Sequence, residues 1–257
     1  MAVSENSKAA APSTVSPASP GLLSPVAVDV VFSGRVAPLM SDGRVAPSAI
    51  VKTARRGWIR IETDGILGDE QADRHAHGGA EKALHHWPAE HYATLASAFP
   101  DARHLYPGAL GENFSTRGLT ESDVCIGDIF ALGTARIQIA QPRTPCWKID
   151  SRCGVEGMAS YIGEHGMAGW YYRVLEPGDV DIGEVNENGV SGSGASLTHL
   201  ERLNEGSTLA RFWRTIGALR PSMAALHSLA SLRGLNPDWQ RKLHSRIDWL
   251  KNNDNAT

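Results

Sequence analysis

The residue with the clearest chemical potential is Cys146, just beyond an apolar run that predicts a strand. Its thiol lies between two cations of the same stretch, Arg143 and Lys148, and Pro145 comes directly before it. Neighbouring positive charge favours the thiolate, which is both the nucleophilic and the metal-ligating form of cysteine. Since a proline keeps the residue before it extended, this stretch is expected to be stiff and non-helical. The alternative is a small buried hydrophobe, because free cysteine is often buried.

A loop rich in glycine, charge and histidine is a second candidate site. Two successive glycines allow close approach of a ligand to the backbone, and their N–H groups can form an anion-binding nest. The glycines and the donors that would surround them are close together in sequence: Arg74, His77, Gly78, Gly79 and Lys82. The sequence thus suggests an anion site. A solvated charged loop and a plain phosphate site stay open as alternatives, although neither a GxGxxG nor a P-loop pattern is present.

Other kinds of site have weaker support. A zinc or copper site could use His75 and His77 together with His85, His86 and His91, since positions two apart in a strand share a face where two imidazoles can bind one metal. The CxxC and HExxH spacings are absent. No GxSxG motif supports serine hydrolysis. We expect no specific nucleic-acid recognition, because the C-terminal segment mixes acidic with basic residues and the formal net charge of the chain is −3.

The composition is that of an ordinary globular protein, with 42% hydrophobic and 21% charged residues in a chain of 257. Three cysteines are too few for a disulfide framework, which favours a reducing compartment. No apolar run approaches the length of about 20 residues that a membrane span needs, and the start of the chain does not resemble a signal peptide. The expected location is the cytoplasm, with no membrane partner.

The candidate cysteine would be positioned by a β-hairpin. Alternating apolar residues predict strands at Ile129–Leu132 and Ala135–Ala140, and the second strand delivers the chain to Arg143 and Cys146. Several further short strands, separated by turn signals, are predicted on both sides of this hairpin. The pattern predicts a mainly β fold of closed or sandwich-like architecture with a few short helices.

Composition divides the chain into three parts. Residues 1–24 are mostly Ala, Ser and Pro and predict a disordered extension. Residues 25–190 carry the strand signals, and a Gly/Ser/Asn-rich link follows them. Residues 196–251 predict a small domain of the three-helix type, in which Leu197 and Leu200 already keep helical spacing. This segment is small for independent stability, so we expect it to dock on the β domain or on another chain.

Four segments together resemble the MOSC domain, a β-barrel module related to the C-terminal part of molybdenum-cofactor sulfurases. They are Gly68-Asp69-x-x-x-Asp73-x-x-x-His77-Gly78-Gly79, Lys82–Tyr92, Gly111-Glu112-Asn113-Phe114, and Gly127-Asp128 leading to Pro142-Arg143-x-Pro145-Cys146-x-Lys148. The helical segment directly after them is similar to the YiiM-like subgroup, which is associated with resistance to N-hydroxylated purines. The resemblance implies a MOSC-type β-barrel followed by a small α-helical bundle.

The resemblance also implies a function. A protein of this kind would bind a molybdopterin-type molybdenum cofactor and reduce N-hydroxylated bases, such as hydroxylaminopurine, to the amine. Cys146 would be the molybdenum ligand, and His77 is the first candidate for proton delivery. The residues implied at the cofactor are Arg74, His77, Gly78, Gly79, Lys82, Asn113, Arg143 and Cys146.

The implied partners are a small N-hydroxylated substrate and a separate electron-donor reductase, because the chain has no flavin or dinucleotide fingerprint and no iron–sulfur cysteine set. Whether the helical segment binds this donor or makes a homodimer stays open. Two alternative functions are kept. In the first the protein carries the molybdenum cofactor without turnover, and in the second a persulfide on Cys146 transfers sulfur.

Overall fold

The computed structural model describes residues 22–28, 30–41, 43–183 and 194–253. The strands in chain order are β1 (Val26–Ala27), β2 (Val30–Ser33), β3 (Ala37–Ser41), β4 (Arg44–Ser48), β5 (Thr53–Ala54), β6 (Trp58–Glu62), β7 (Gly65–Ile66), β8 (Leu84–Pro88), β9 (Phe114–Thr116), β10 (Ile129–Leu132), β11 (Ala135–Pro142), β12 (Trp170–Glu176), β13 (Gly178–Asp181) and β14 (Ser196–Glu201). The helices are α1 (Arg74–His77), α2 (His91–Ala98), α3 (Lys148–Cys153), α4 (Met158–Glu164), α5 (Leu209–Gly217), α6 (Met223–Ala230) and α7 (Pro237–Asn253), and a 3-10 turn spans Ala80–Lys82.

The fold is mainly β with short helices, as the sequence predicts. Nine strands form the main sheet in the order β1-β14-β10-β11-β12-β8-β9-β2-β5, while β13-β6-β7 and β3-β4 form smaller sheets. The expected closed barrel is wrong for the described residues, because this order has two free ends, β1 and β5. Each of these edge strands has only two residues, and the described residues show no pairing between them.

The hairpin that leads to the candidate cysteine forms as predicted. Strand β11 pairs antiparallel with β10 on one side and with β12 on the other. Seven of its eight residues are buried, because the strand lies within the sheet and helices cover the apolar side. The pairing continues past its end, where the Arg143 N–H donates to the Gly169 carbonyl over 3.1 Å. The chain therefore enters the Cys146 stretch from a fixed position.

The segment after the undescribed residues 184–193 begins differently from the prediction. Leu197 and Leu200 lie in a strand, β14, which pairs with both β1 and β10 of the main sheet. The helical spacing of its leucines was misleading, because a short apolar run fits both periods and a free sheet edge supplies backbone partners. The predicted three-part division of the chain stays a prediction, and its N-terminal extension lies outside the described residues except for 22–24.

Three helices follow β14 and pack on the main sheet. Side-chain caps fix all three starts: Thr208 accepts from the Arg211 N–H ahead of α5, Ser222 from the Ala225 N–H ahead of α6, and Asn236 from the Asp238 N–H in the first turn of α7. Buried residues of all three helices share one apolar core with the sheet: Leu209, Phe212, Leu226, Leu229, Leu243 and Ile247. A second core lies beneath α2, α3 and α4.

None of the described helices combines the length and the hydrophobicity that crossing a bilayer requires.

Candidate cofactor pocket

A pocket opens where the end of β11, the start of β8 and the loops before β5, α1 and β9 converge. Most of the residues that the sequence singles out line it: His77, Lys82, Asn113, Arg143 and Cys146. Lys52, Asp69, His85, Lys148 and Tyr171 also line it. The pocket encloses about 600 Å³ of empty space when the solvent at its mouth is included. It thus combines one thiol with several nitrogen donors.

Cys146 occupies the rim of this pocket. Its thiol is free and the residue is half-buried, whereas Cys125 and Cys153 are fully buried. Burial raises the pKa of each of the other two thiols to about 11, so neither is suited to act as a thiolate. The Cys146 carbonyl accepts from the Ile149 N–H at the start of α3 over 3.0 Å. Of the three cysteines, only Cys146 is accessible to a ligand in the pocket.

Arg143 is a buried cation at the floor of the pocket, with only 6% of its surface exposed. One terminal nitrogen, Nη2, donates to the Leu110 carbonyl over 3.1 Å, and the guanidinium lies 5.9 Å from the centre of the Trp87 ring. The other, Nη1, is buried with no hydrogen-bond partner among the described residues. Leaving such a donor unpaired costs several kcal/mol for a charged group. The arrangement therefore has capacity for an acceptor or an anion.

His85 is a second buried group whose hydrogen bonding is incomplete. It is 3% exposed, and its Nε2 atom has no partner among the described residues. Burial, followed by the charge of Arg143, holds the pKa of His85 well below its ordinary value. The imidazole is therefore neutral at neutral pH and does not compete with Arg143 as a second cation. The sequence offered His85 only as a member of the weakly supported metal site, and not as a residue of the cofactor site.

Asn113 has a structural part in this wall. Its Nδ2 donates to Asp69 Oδ2 over 2.8 Å and to the Phe32 carbonyl over 3.1 Å, while its Oδ1 accepts from the His85 N–H over 3.0 Å. The side chain thus ties together β2, β8 and the loop that carries Asp69. Because both the donor and the acceptor side of its amide are engaged, Asn113 is better described as a positioning residue than as a cofactor contact.

Asp69 and Lys52 form a buried ion pair beside Asn113. The Lys52 ammonium lies 2.7 Å from Asp69 Oδ2, and the two side chains are 6% and 2% exposed. Asp69 Oδ1 also accepts from the Gly34 N–H over 2.7 Å. The charge of Lys52 is therefore neutralised inside the protein, and among the described residues Arg143 remains as the buried cation without a carboxylate partner. The sequence offered a signal for Asp69, the Gly68-Asp69 pair, but none for Lys52.

Glu112 of the same motif holds the neighbouring loop. Its carboxyl accepts from the Tyr92 hydroxyl over 2.5 Å, from the Gly108 N–H over 2.6 Å and from the Leu110 N–H over 3.1 Å. Burial raises the pKa of Glu112, and these hydrogen bonds oppose the rise. Since the Leu110 carbonyl accepts from Arg143, Glu112 positions the loop that orients the guanidinium.

His77 lies among cations at the pocket. Burial lowers its pKa, and the charges of Lys148, Arg143 and Lys82 lower it further, against a smaller opposing effect of Asp73. Neutral imidazole is therefore favoured at neutral pH. A neutral imidazole carries a proton only as a relay, by accepting one on one nitrogen while releasing another.

The first turns of α7 lie near Lys82 at the rim of the pocket. Burial lowers the pKa of Lys82, Asp238 opposes the shift, and Lys242 adds to it. Both residues belong to the first turns of α7, and the Asn236 N–H fixes this end of the helix by donating to the Ala140 carbonyl over 2.9 Å. Helix α7 therefore contributes to the electrostatics of the pocket.

Three residues of the expected anion site do not line the pocket. Arg74 forms an ion pair with Asp64 at the surface, where both side chains are more than half exposed. Gly78 packs against Gln71, whose Oε1 would lie 2.2 Å from an added Cβ atom. Gly79 has a φ of 80° and begins the 3-10 turn. The two glycines allow a tight turn at this point, and neither of them lines the pocket.

Comparison with known proteins decides the family. The model of the MOSC domain matches residues 73–187. Protein YiiM of Escherichia coli is 35% identical over 224 residues, which cover 84% of this chain and 90% of that protein. The chain belongs to the MOSC family. The crystal structure of YiiM from Geobacillus stearothermophilus has a TM-score of 0.69 at 28% identity, covering 87% of this chain and all of the other.

A further relative is a longer protein that this chain matches over part of its length. A protein of Gibberella moniliformis named "Reductase" is 36% identical over 157 residues, which make up 60% of this chain but 28% of that protein. The MOSC match in the present chain contains Asn113, Arg143 and Cys146, whereas Lys52 and Asp69 lie before it. The pocket of this MOSC protein is thus completed by residues outside the matched segment.

Proposed function

We propose that the protein binds a molybdopterin-type cofactor in this pocket, with Cys146 as the molybdenum ligand, and reduces N-hydroxylated bases such as hydroxylaminopurine to the amine. The observation that carries the proposal is the pairing of one accessible thiol with a buried guanidinium whose Nη1 lacks a partner among the described residues. Membership of the MOSC family and a relative named "Reductase" support an oxidoreductase.

The residues of the pocket fit such a cofactor. A thiolate is a soft ligand suited to a redox-active metal, and no described cluster of three or more His, Cys, Asp or Glu side chains could hold a metal without further ligands. A pterin cofactor with a phosphate needs cationic donors and neutral polar partners. Arg143 would bind its anionic part, and the unpaired Nε2 of neutral His85 would accept from one of its N–H groups.

Once bound, the cofactor supplies the two electrons that cleavage of an N–O bond requires. The protein binds and orients both partners, and the Trp87 ring and the Tyr171 hydroxyl both lie close to the Arg143 guanidinium. His77 would relay a proton from solvent towards the hydroxyl group that leaves as water, because its lowered pKa keeps it neutral. Asn113, Asp69 and Glu112 hold the walls in place.

The first test measures molybdenum and pterin in protein from a host that makes the cofactor. Wild type should carry molybdenum near one atom per chain, and Cys146→Ala should lose it. The matched control is Cys153→Ala, which removes a buried thiol away from the pocket and should keep the metal. Loaded wild type should then reduce hydroxylaminopurine with dithionite as electron source.

Arg143→Leu should lower the affinity for the pterin about 10- to 100-fold, since the one charge-assisted hydrogen bond that Nη1 can donate contributes about 1.5–3 kcal/mol. Equal molybdenum in wild type and Cys146→Ala would exclude the cysteine as ligand. Bound cofactor without turnover of any N-hydroxylated compound would indicate a carrier. Wild type without molybdenum or pterin, from a host that loads another molybdoenzyme, would refute the proposal.

A further inference from the structure

The reaction proposed above needs an outside source of electrons, and the inference below rests on that function. Converting N–OH to N–H takes two electrons and two protons and releases water. After each turnover the oxidised cofactor must regain two electrons from a reductant that the chain does not carry. A protein donor must approach the surface next to Cys146, because electron transfer requires its redox group to come close to the metal.

The surface beside Cys146 has an apolar centre. Trp147 follows the cysteine directly and is 49% exposed. The β3–β4 hairpin packs against α3 and exposes Met40 and Val45, which are cross-strand partners and each 62% exposed. Leu39 packs inward on the core beneath α3, so the hairpin is anchored while its outer side stays open. Exposed Trp and Met are typical of interface cores.

Three cations lie on α3 or beside its end, and none of them has a carboxylate partner among the described residues. Among the described residues, Lys148, Arg103 and Arg152 form no ion pair within 4.0 Å, while Arg152 donates to the Tyr106 hydroxyl over 3.2 Å. Arg103 is tied to the end of α3, where its N–H donates to the Cys153 carbonyl over 2.8 Å.

The pKa of His104 reflects the positive charge beside α3. Besides burial, the influences that lower its pKa are Arg152 and Arg103, and no carboxylate opposes them. His104 also has a φ of 60°, the single positive φ of a non-glycine residue in the described chain. Arg103 and His104 belong to the segment that joins α2 to β9, and the contact of the Arg103 N–H with the Cys153 carbonyl places this segment beside the end of α3.

We propose that α3 and the β3–β4 hairpin form the docking surface for an acidic electron-transfer protein, which delivers electrons to the cofactor at Cys146 from its reduced prosthetic group. An acidic partner complements Arg103, Arg152 and Lys148, and its apolar contact covers Met40, Val45 and Trp147. The chain as a whole has a net charge of −3, so a local cationic surface is needed to attract an acidic protein. Such complementarity acts on the association rate and is weakened by salt.

The test compares two electron sources in the loaded full-length protein. Reduced flavodoxin, an acidic FMN protein, and dithionite each drive the reduction of hydroxylaminopurine. In the double variant Arg103→Glu/Arg152→Glu the flavodoxin-driven kcat/KM should fall at least about 10-fold at low salt. The fall should be smaller at 0.5 M NaCl, and the dithionite-driven rate should stay unchanged. Met40→Asp/Val45→Asp, on exposed positions, should give a similar selective loss. The control Arg214→Glu/Arg220→Glu makes the same charge change on two exposed residues, one on α5 and one in the turn between α5 and α6, and should change neither rate.

The outcomes separate this inference from the proposed function. Equal loss with both electron sources, or no loss with flavodoxin, overturns the docking surface. If the hairpin variant turns a dimer into a monomer in sedimentation velocity while flavodoxin-driven turnover stays unchanged, a second copy covers the surface and the inference is wrong. If dithionite drives no turnover in loaded wild type, the proposed reductase function fails. Fluorescence titration with flavodoxin, which needs no turnover, then decides whether the variants bind it more weakly than wild type.

Discussion

Replacing Asn113 with alanine should destabilise the protein even when no cofactor is present. The substitution removes three hydrogen bonds of the buried amide, those with the Phe32 carbonyl, the Asp69 carboxylate and the His85 N–H. At about 1 kcal/mol net for each bond, the free energy of unfolding should fall by about 3 kcal/mol. The loss is larger if the buried His85 N–H finds no new acceptor.

Urea unfolding followed by tryptophan fluorescence measures this loss in protein produced without the cofactor. For a chain of this size, about 3 kcal/mol corresponds to a fall in Tm of roughly 6–12 °C. The matched control is Gln71→Ala, which removes an amide that also lines the pocket but makes one hydrogen bond, to the Asp64 carbonyl over 3.2 Å. The control should lose at most about 1 kcal/mol.

The magnitude distinguishes two roles for Asn113. A positioning residue destabilises the cofactor-free protein when it is removed, whereas a residue that only contacts the cofactor does not. A loss below about 1 kcal/mol in cofactor-free Asn113→Ala would refute the positioning role. Such a result would instead favour a direct contact between Asn113 and the cofactor, which the family resemblance implies.

Two further predictions concern the strand that carries the buried histidines. Burial lowers the pKa of His86 to about 3. Between about pH 6.5 and pH 3 the unfolded chain therefore binds a proton that the folded chain excludes. The free energy of unfolding should fall on acidification by up to about 1.4 kcal/mol per pH unit for this histidine. His86→Gln should flatten that slope in urea titrations at several pH values, and an unchanged slope would assign it to other groups. Gly169→Ala should cost more than 2 kcal/mol, because at a φ of +67° its Cβ would lie 2.1 Å from the His86 carbonyl oxygen. Gly206→Ala, at the same φ with open space around it, should cost about 1–2 kcal/mol, and equal losses would show that the close contact contributes nothing.

Local patterns were reliable where one stretch of chain decides its own structure. The β10–β11 hairpin forms where the alternating apolar residues predict it. The position of Cys146 after β11 also follows from local sequence. Strand β14 shows the limit of this reasoning, since its leucines fit a helical period but its backbone pairs with β1 and β10.

The sequence by itself determined the family motifs, the mainly β class and the thiol that the proposed chemistry needs. The tertiary structure decided which charges remain available. Lys52 is neutralised by Asp69 and Arg74 by Asp64, whereas Arg143 keeps a buried nitrogen without a partner among the described residues. The physical reason is that pairing and desolvation depend on groups distant in sequence, such as Lys52 and Asp69 with Asn113. The type of a residue gives its possible bonds, and only the folded arrangement shows which of them are already made.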